Sequence, residues 1–138
     1  MNDKCIFCKI IKNEISSHKV YEDDKVLAFL DINPTNPGHI LLISKEHYEN
    51  TIKTPEELLQ YMITVVKKIA PAIIKGVGAK AWNLIVNNGA DAGQVVFHTH
   101  WHIIPRFKDD GHKPFSGEHY KYQEGEIEKI IEKIKENL

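Results

Sequence analysis

Apolar residues recur at Leu58, Leu59, Met62, Val65, Val66, Ile69 and Ile73, the spacing of one buried face of an α-helix. Just upstream, Thr54-Pro55-Glu56-Glu57 reads as a helix start, with Thr54 as the cap, Pro55 in the first helical position and Glu57 closing a capping box. Pro71 predicts a kink or an early end, because proline lacks the backbone donor, and Gly76 and Gly78 mark the exit. A second helical run from about Gly125 places Ile127, Ile130, Ile131, Ile134 and Leu138 on one face. The β-prone segments 19–21 and 26–30 flank Glu22-Asp23-Asp24-Lys25 and predict a hairpin. After the proline- and glycine-rich loop 33–38, further strands are predicted over 40–43, 83–86 and 98–104, the last two divided by the turn-rich stretch 87–93. Strands, a helix, strands and a helix, joined by mostly short connections, predict an antiparallel α+β domain rather than a doubly wound parallel sheet.

Composition narrows the function classes. A chain of 138 residues, 42% hydrophobic and 27% charged, suits one compact domain. Its 18 basic and 19 acidic side chains leave no basic excess of the kind a general nucleic-acid binder carries, yet a small anionic ligand needs only a few directed donors. No apolar run approaches the roughly 20 residues of a membrane span, and the first residues lack a secretory signal. Cys5 and Cys8 are too few for a disulfide framework, so the expectation is a cytoplasmic protein with reduced thiols.

The chemistry concentrates at His98-Thr99-His100-Trp101-His102. Alternate residues of a strand share a face about 6.5–7 Å apart, which puts three imidazoles on one side. One such histidine is most often structural; three in register argue for a site. They could ligate a metal, or a neutral imidazole could attack phosphorus while its neighbours hold the tautomer and supply a proton. The preceding Gly89-Ala90-Asp91-Ala92-Gly93-Gln94 is an ordinary turn taken alone, but in front of three histidines it suits a phosphate cradle.

The run from Gly93 to Ile104 resembles the signature of the histidine-triad (HIT) nucleotide-binding hydrolases. The resemblance extends upstream through Val20-Tyr21-Glu22-Asp23-Asp24, Leu27-Ala28-Phe29-Leu30-Asp31-Ile32 and Pro37-Gly38-His39-Ile40-Leu41-Leu42-Ile43, and covers about Cys5 to Arg106. It implies a motif-bearing body over 1–106, followed by a loop and C-terminal helix over 107–138. It also implies a five-stranded antiparallel sheet with two main helices, continued across a homodimer, and a purine nucleotide (AMP, GMP or a derivative) as ligand. His100 matches the nucleophile that forms a nucleotidyl-histidine, His102 the phosphate contact, and His98 the brace of the nucleophile. His39 matches a further member of the orienting network. Asp31 matches the carboxylate that accepts both ribose hydroxyls, although a turn-capping role before Asn33-Pro34 is its alternative. Phe7, Ile10, Ile15 and Ile32 match the wall around the base and would otherwise read as core; Asn87 and the Gly93 backbone, with Gln94 and Val95, match phosphate-side contacts.

Two features qualify this reading. Position 95 is Val where the phosphoramidase branch has a Ser, so a side-chain donor to the leaving group is missing. Cys5-Ile6-Phe7-Cys8 alone is half a zinc site, or a pair of buried thiols. The resemblance implies completion by His47 and His98 into a structural Zn²⁺ site that would also hold the His98 ring. His18, His112 and His119 have no motif around them and read as solvated, while the segment 107–122, with Lys108 and Lys113, either closes the leaving-group side or merely connects to the last helix. The leading expectation is a nucleoside phosphoramidase; the alternatives are a dinucleoside polyphosphate hydrolase, a catalytic metal on the triad, or a nucleotide-binding module with little turnover. The uridylyltransferase branch lacks support, since there is no His-Pro-His-Gln segment.

Overall fold

The computed structural model describes residues 2–111 and 119–138. Helix α1 (Ile6–Ile11) is followed by strands β1 (Lys19–Glu22), β2 (Val26–Leu30) and β3 (Ile40–Ser44), helix α2 (Glu56–Val77), strands β4 (Ala81–Ile85) and β5 (His100–Arg106), and helix α3 (Glu126–Glu136). The strands form one antiparallel sheet in the order β1-β2-β3-β5-β4, so the histidine-bearing strand lies inside the sheet and β4 at its edge.

Both faces of this sheet are covered. Val26, Ala28, Leu30, Ile40, Leu42, Trp101 and Ile103 pack with Met62, Val65, Ile69 and Ile73 of α2 and Ile130 and Ile134 of α3. On the other face, Leu27, Phe29, Leu41 and Ile43 pack with Cys5, Phe7, Cys8 and Ile10 from the N-terminal segment. Double coverage explains why β2 and β3 are buried at every position and show no polar alternation. Leu41 pairs with His102 and Ile43 with His100, which sets both imidazoles on the α1 side.

Several local expectations are corrected. Helix α1 is absent from the sequence reading because six residues with no acidic first turn carry little periodicity; Cys5 caps it through Sγ, which accepts from Cys8 N–H. Thr54 does not cap α2. Its hydroxyl donates to Asn50 O at 2.8 Å and meets the Thr99 hydroxyl at 2.6 Å, leaving Pro55 as the N-cap. Pro71 does not end α2, which runs on to Val77. The ring lies on the exposed side, and the carbonyl deprived of its donor belongs to Lys67, also exposed. Strand β5 begins at His100, so His98 sits in a bend before it, and Leu138 lies half-exposed beyond α3.

Gly76 is where α3 crosses α2. A methyl group there would lie 2.9 Å from Ile134 Cγ1 and 3.0 Å from the Ile134 backbone nitrogen. Helix propensity favours alanine by about 1 kcal/mol, but overpacking against backbone costs about 1–3 kcal/mol. Gly76→Ala is therefore expected to lose stability, by about 1 kcal/mol net, in urea denaturation.

Candidate active site

A cleft of about 520 Å³ opens on the α1 side of the sheet, a volume that suits a small-molecule ligand. Phe7, Ile10 and Ile15 line it together with Asp31, Ile32, His39, Asn87, Gly93, Val95, His100 and His102. Residues separated by up to 95 positions are thus brought together. Phe7 and Ile10 are buried, whereas Ile32 is 79% exposed at the mouth.

The ring nitrogens are assigned by their partners. His100 Nδ1 lies 2.6 Å from the carbonyl oxygen of His98, which can only accept, so Nδ1 carries the proton and Nε2 keeps its lone pair. Thr35 N–H donates to His39 Nδ1 at 2.9 Å, so a neutral His39 carries its proton on Nε2. That nitrogen is 2.8 Å from His102 Nδ1 and donates to it, which leaves His102 with a proton-bearing Nε2. The two neighbouring histidines therefore differ in kind: His100 offers a lone pair and His102 a donor.

Burial keeps these rings neutral. It pushes His102 down to about 3, with the charges of His39 and His100 adding to the effect, and His39 likewise to about 3. His100 is also lowered by burial, partly opposed by its bond to the His98 carbonyl. A neutral imidazole is the nucleophilic form.

Asp31 caps a turn and also lines the cleft. Its Oδ1 accepts Asn33 N–H at 2.8 Å and caps the turn, while Oδ2 lies 3.6 Å from His39 Nε2. The loop before the triad departs from expectation. Gly93 N–H is committed to Ala90 O at 2.9 Å and Gln94 N–H to Gly89 O at 3.1 Å. Gly93, at φ 89°, instead supplies a left-handed turn; a Cβ there would meet Asn87 Nδ2 at an ordinary 3.6 Å. Gln94 does not line the cleft. Its amide donates to Glu49 O and Val96 O and accepts from Gly89 N–H, bracing the loop. Val95 is 85% exposed at the rim.

Cys5, Cys8, His47 and His98 form a second cluster. Cys8 Sγ is 3.3 Å from His47 Nδ1 and 3.6 Å from His98 Nδ1, Cys5 Sγ is 3.4 Å from His98 Nδ1, and the two Nδ1 atoms are 3.2 Å apart. Bonds of about 2.3 Å to sulfur and about 2.0 Å to nitrogen put tetrahedral donors roughly 3.3–3.8 Å apart, so these four residues could hold a metal ion. The His98 tautomer agrees, since Nε2 donates to Ser44 O at 2.6 Å and Nδ1 faces the sulfurs with its lone pair.

Three contributors escaped the sequence reading. The Thr35 amide and the Ser44 carbonyl are backbone groups and carry no residue-type signal. His119 is exposed, as the sequence reading has it, and also lines the cleft. His18 is exposed; His112 and Lys113 lie outside the described residues, and Lys108 lies beside Trp82 and Phe107, apart from the cleft.

Comparison with known proteins places the site in a family. The HIT domain model matches residues 12–109. A HIT-like protein of Methanocaldococcus jannaschii is 45% identical over 131 residues, which are 95% of this chain and 98% of that relative. An adenylylsulfatase of Arabidopsis thaliana is 49% identical over 110 residues, 80% of this chain but only 56% of the plant protein. The crystal structure of a zinc-bound histidine triad family protein from Mycobacterium smegmatis superposes with a TM-score of 0.82 at 33% identity, covering 96% of this chain and 94% of that one. The chain belongs to the HIT family.

The neutral histidines make stability depend on pH. An unfolded histidine titrates near ~6.5, whereas His39 and His102 do so near 3 in the fold. Between these values the unfolded chain binds more protons, so stability is full above about 6.5 and declines as pH falls toward about 3. The urea midpoint is expected to drop over that window, and His39→Gln, which removes one titrating ring, to make the decline shallower.

Proposed function

We propose that the protein is a purine-nucleotide hydrolase or nucleotidyl transferase in which His100 Nε2 attacks the α-phosphorus. The P–N bond to His100 forms as the bond to the leaving group breaks, and water then releases the nucleoside monophosphate and restores the imidazole. The observation that carries this reading is the division of tautomers: a lone pair on His100 beside a donor on His102 suits attack at phosphorus with an N–H to a phosphate oxygen. Asp31 accepts the ribose hydroxyls, the Phe7–Ile10–Ile15 wall takes the base, and Asn87 and the rim around Val95 border the phosphate.

A nucleoside phosphoramidate is the first substrate class. An amine must be protonated to leave, and because neutral His102 offers a hydrogen bond rather than a proton, that proton is drawn from water. A second reading is favoured by Val95, whose side chain has no proton to give. Sulfate or a phosphate chain leaves as an anion without one, and the Arabidopsis relative is an adenylylsulfatase. Dinucleoside polyphosphates belong to the same group.

The Cys5–Cys8–His47–His98 cluster is proposed to hold Zn²⁺, as its donor set, its spacing and the zinc-bound relative support. The ion would supply structural cross-linking. It would tie the N-terminal segment to the loop after β3 and to the entry of β5, and hold the His98 ring whose carbonyl sets the His100 tautomer. A homodimer is proposed through β4: this edge strand exposes Trp82 and Leu84, each 38% accessible, and Val86 follows it at 40%. A second copy adding its own β4 would continue the sheet.

His100→Asn is expected to abolish turnover of adenosine phosphoramidate and adenylyl sulfate while retaining AMP binding, and mass spectrometry of quenched wild-type protein to find a nucleotidyl adduct on His100. Substantial turnover by the variant would overturn the mechanism. For the metal, elemental analysis is expected to find about one zinc per chain, and Cys8→Ser to lose it with a lowered thermal midpoint. Metal-free protein purified without chelators would refute that assignment.

A further inference from the structure

The C-terminal segment lies beyond the residues matched by the HIT domain model, and among the described residues it contributes one side chain to the cleft, His119. Two hydrogen bonds put it there. Tyr120 N–H donates to Pro34 O at 2.8 Å, and Gly38 N–H donates to the Tyr122 hydroxyl at 3.1 Å, so residues 120–122 run along the loop 33–38. The Tyr120 hydroxyl meets the Glu126 carboxylate at 2.7 and 2.9 Å and anchors the segment to the first turn of α3. Helix α3 is in turn seated on α2 where Gly76 meets Ile134. The placement of His119 is therefore a consequence of core packing.

This segment approaches the Asp31 flank of the cleft. Asn33 and Thr35, on either side of the Pro34 carbonyl, line the cleft with His119, and the charge of His119 is felt by buried His39. The wall formed by Phe7, Ile10 and Ile15 is apolar and gives an imidazole no polar partner. On the Asp31 flank a donor is useful. A ribose hydroxyl that donates to a carboxylate keeps acceptor lone pairs on its oxygen, which a carboxylate cannot satisfy.

We infer that His119 is a specificity-determining residue for the sugar, donating an N–H to a ribose hydroxyl oxygen of the nucleotide whose hydroxyls Asp31 accepts. The inference rests on the proposed role of Asp31. Together the two residues select ribonucleotides over deoxy sugars, Asp31 as acceptor and His119 as donor. His119 takes no part in bond making, so it acts on affinity and leaves the chemistry at His100 unchanged.

Titration calorimetry of the full chain with AMP and with 2′,3′-dideoxy-AMP tests this. His119→Ala is expected to weaken AMP about fivefold, the worth of one net hydrogen bond, and to leave the dideoxy ligand unchanged. His119→Asn, which keeps an N–H donor, recovers most of the loss. If His119→Ala leaves the AMP to dideoxy-AMP ratio as in the wild type, whether both affinities hold or both fall, the inference is overturned. Asp31→Asn separates the two levels: if it collapses the ratio while His119→Ala does not, only the role of His119 fails. If wild-type protein binds both ligands equally, the ribose role of Asp31 fails and this inference with it.

Discussion

The hydrogen bond between His98 O and His100 Nδ1 is the constraint on which the site depends. It fixes the proton on one nitrogen of His100 and so exposes the lone pair of the other to the cleft. His98 is held in its turn: its ring donates to Ser44 O, its Nδ1 faces the two sulfurs and His47, and its amide donates to Val96 O. The same residue therefore belongs to the metal-capable cluster through its side chain and to the proposed nucleophile, His100, through its main chain. A bend before β5, rather than a regular strand, makes this double use possible, because it frees the carbonyl of His98 from the sheet ladder to accept from a side chain.

Two-sided burial of the sheet supplies the other half of the chemistry. The α1 side is closed by Phe7, Ile10 and the cysteines, and Phe7 packs edge-on against both His98 and His100, with ring centroids 5.8 and 5.1 Å away. Removing water from these rings disfavours their charged forms, and neutral imidazoles can then act as donor or acceptor according to their partners. The relay from Thr35 through His39 to His102 is built from neutral groups throughout. An ionised network there would leave buried charge without sufficient compensation. The apolar packing and the polar chemistry are thus one arrangement: α1 is a wall of the cleft, and its Phe7 helps to bury His98 and His100.

Much of this was legible in the chain before folding. The helical period from Leu58 to Ile73, the β-prone runs around Phe29 and Leu42, and the family signature at His98–His102 identify the α+β class, the sheet and the candidate site residues. Gln94 shows where such reading overreaches. It adjoins the signature and suggests a phosphate contact, but its side chain spends its hydrogen-bonding capacity on Glu49, Val96 and Gly89. Thr54 misleads in the same way, because tertiary contacts with Asn50 and Thr99 outcompete a local cap. Pro71 misleads because it falls on the exposed side of a helix whose opposite face is held by core packing.

By itself, then, the sequence determined which side chains are able to act, since residue type sets acid-base character, ligand preference and periodicity. The tertiary structure alone decided in which form they act. The tautomers of His39, His98, His100 and His102 depend on the Thr35 amide, the Ser44 and His98 carbonyls and one another. The arrival of His119 at the cleft depends on how α3 seats against Gly76. Backbone donors and acceptors are common to nearly every residue and leave no mark in a sequence, so only folding could specify which of them each histidine would meet.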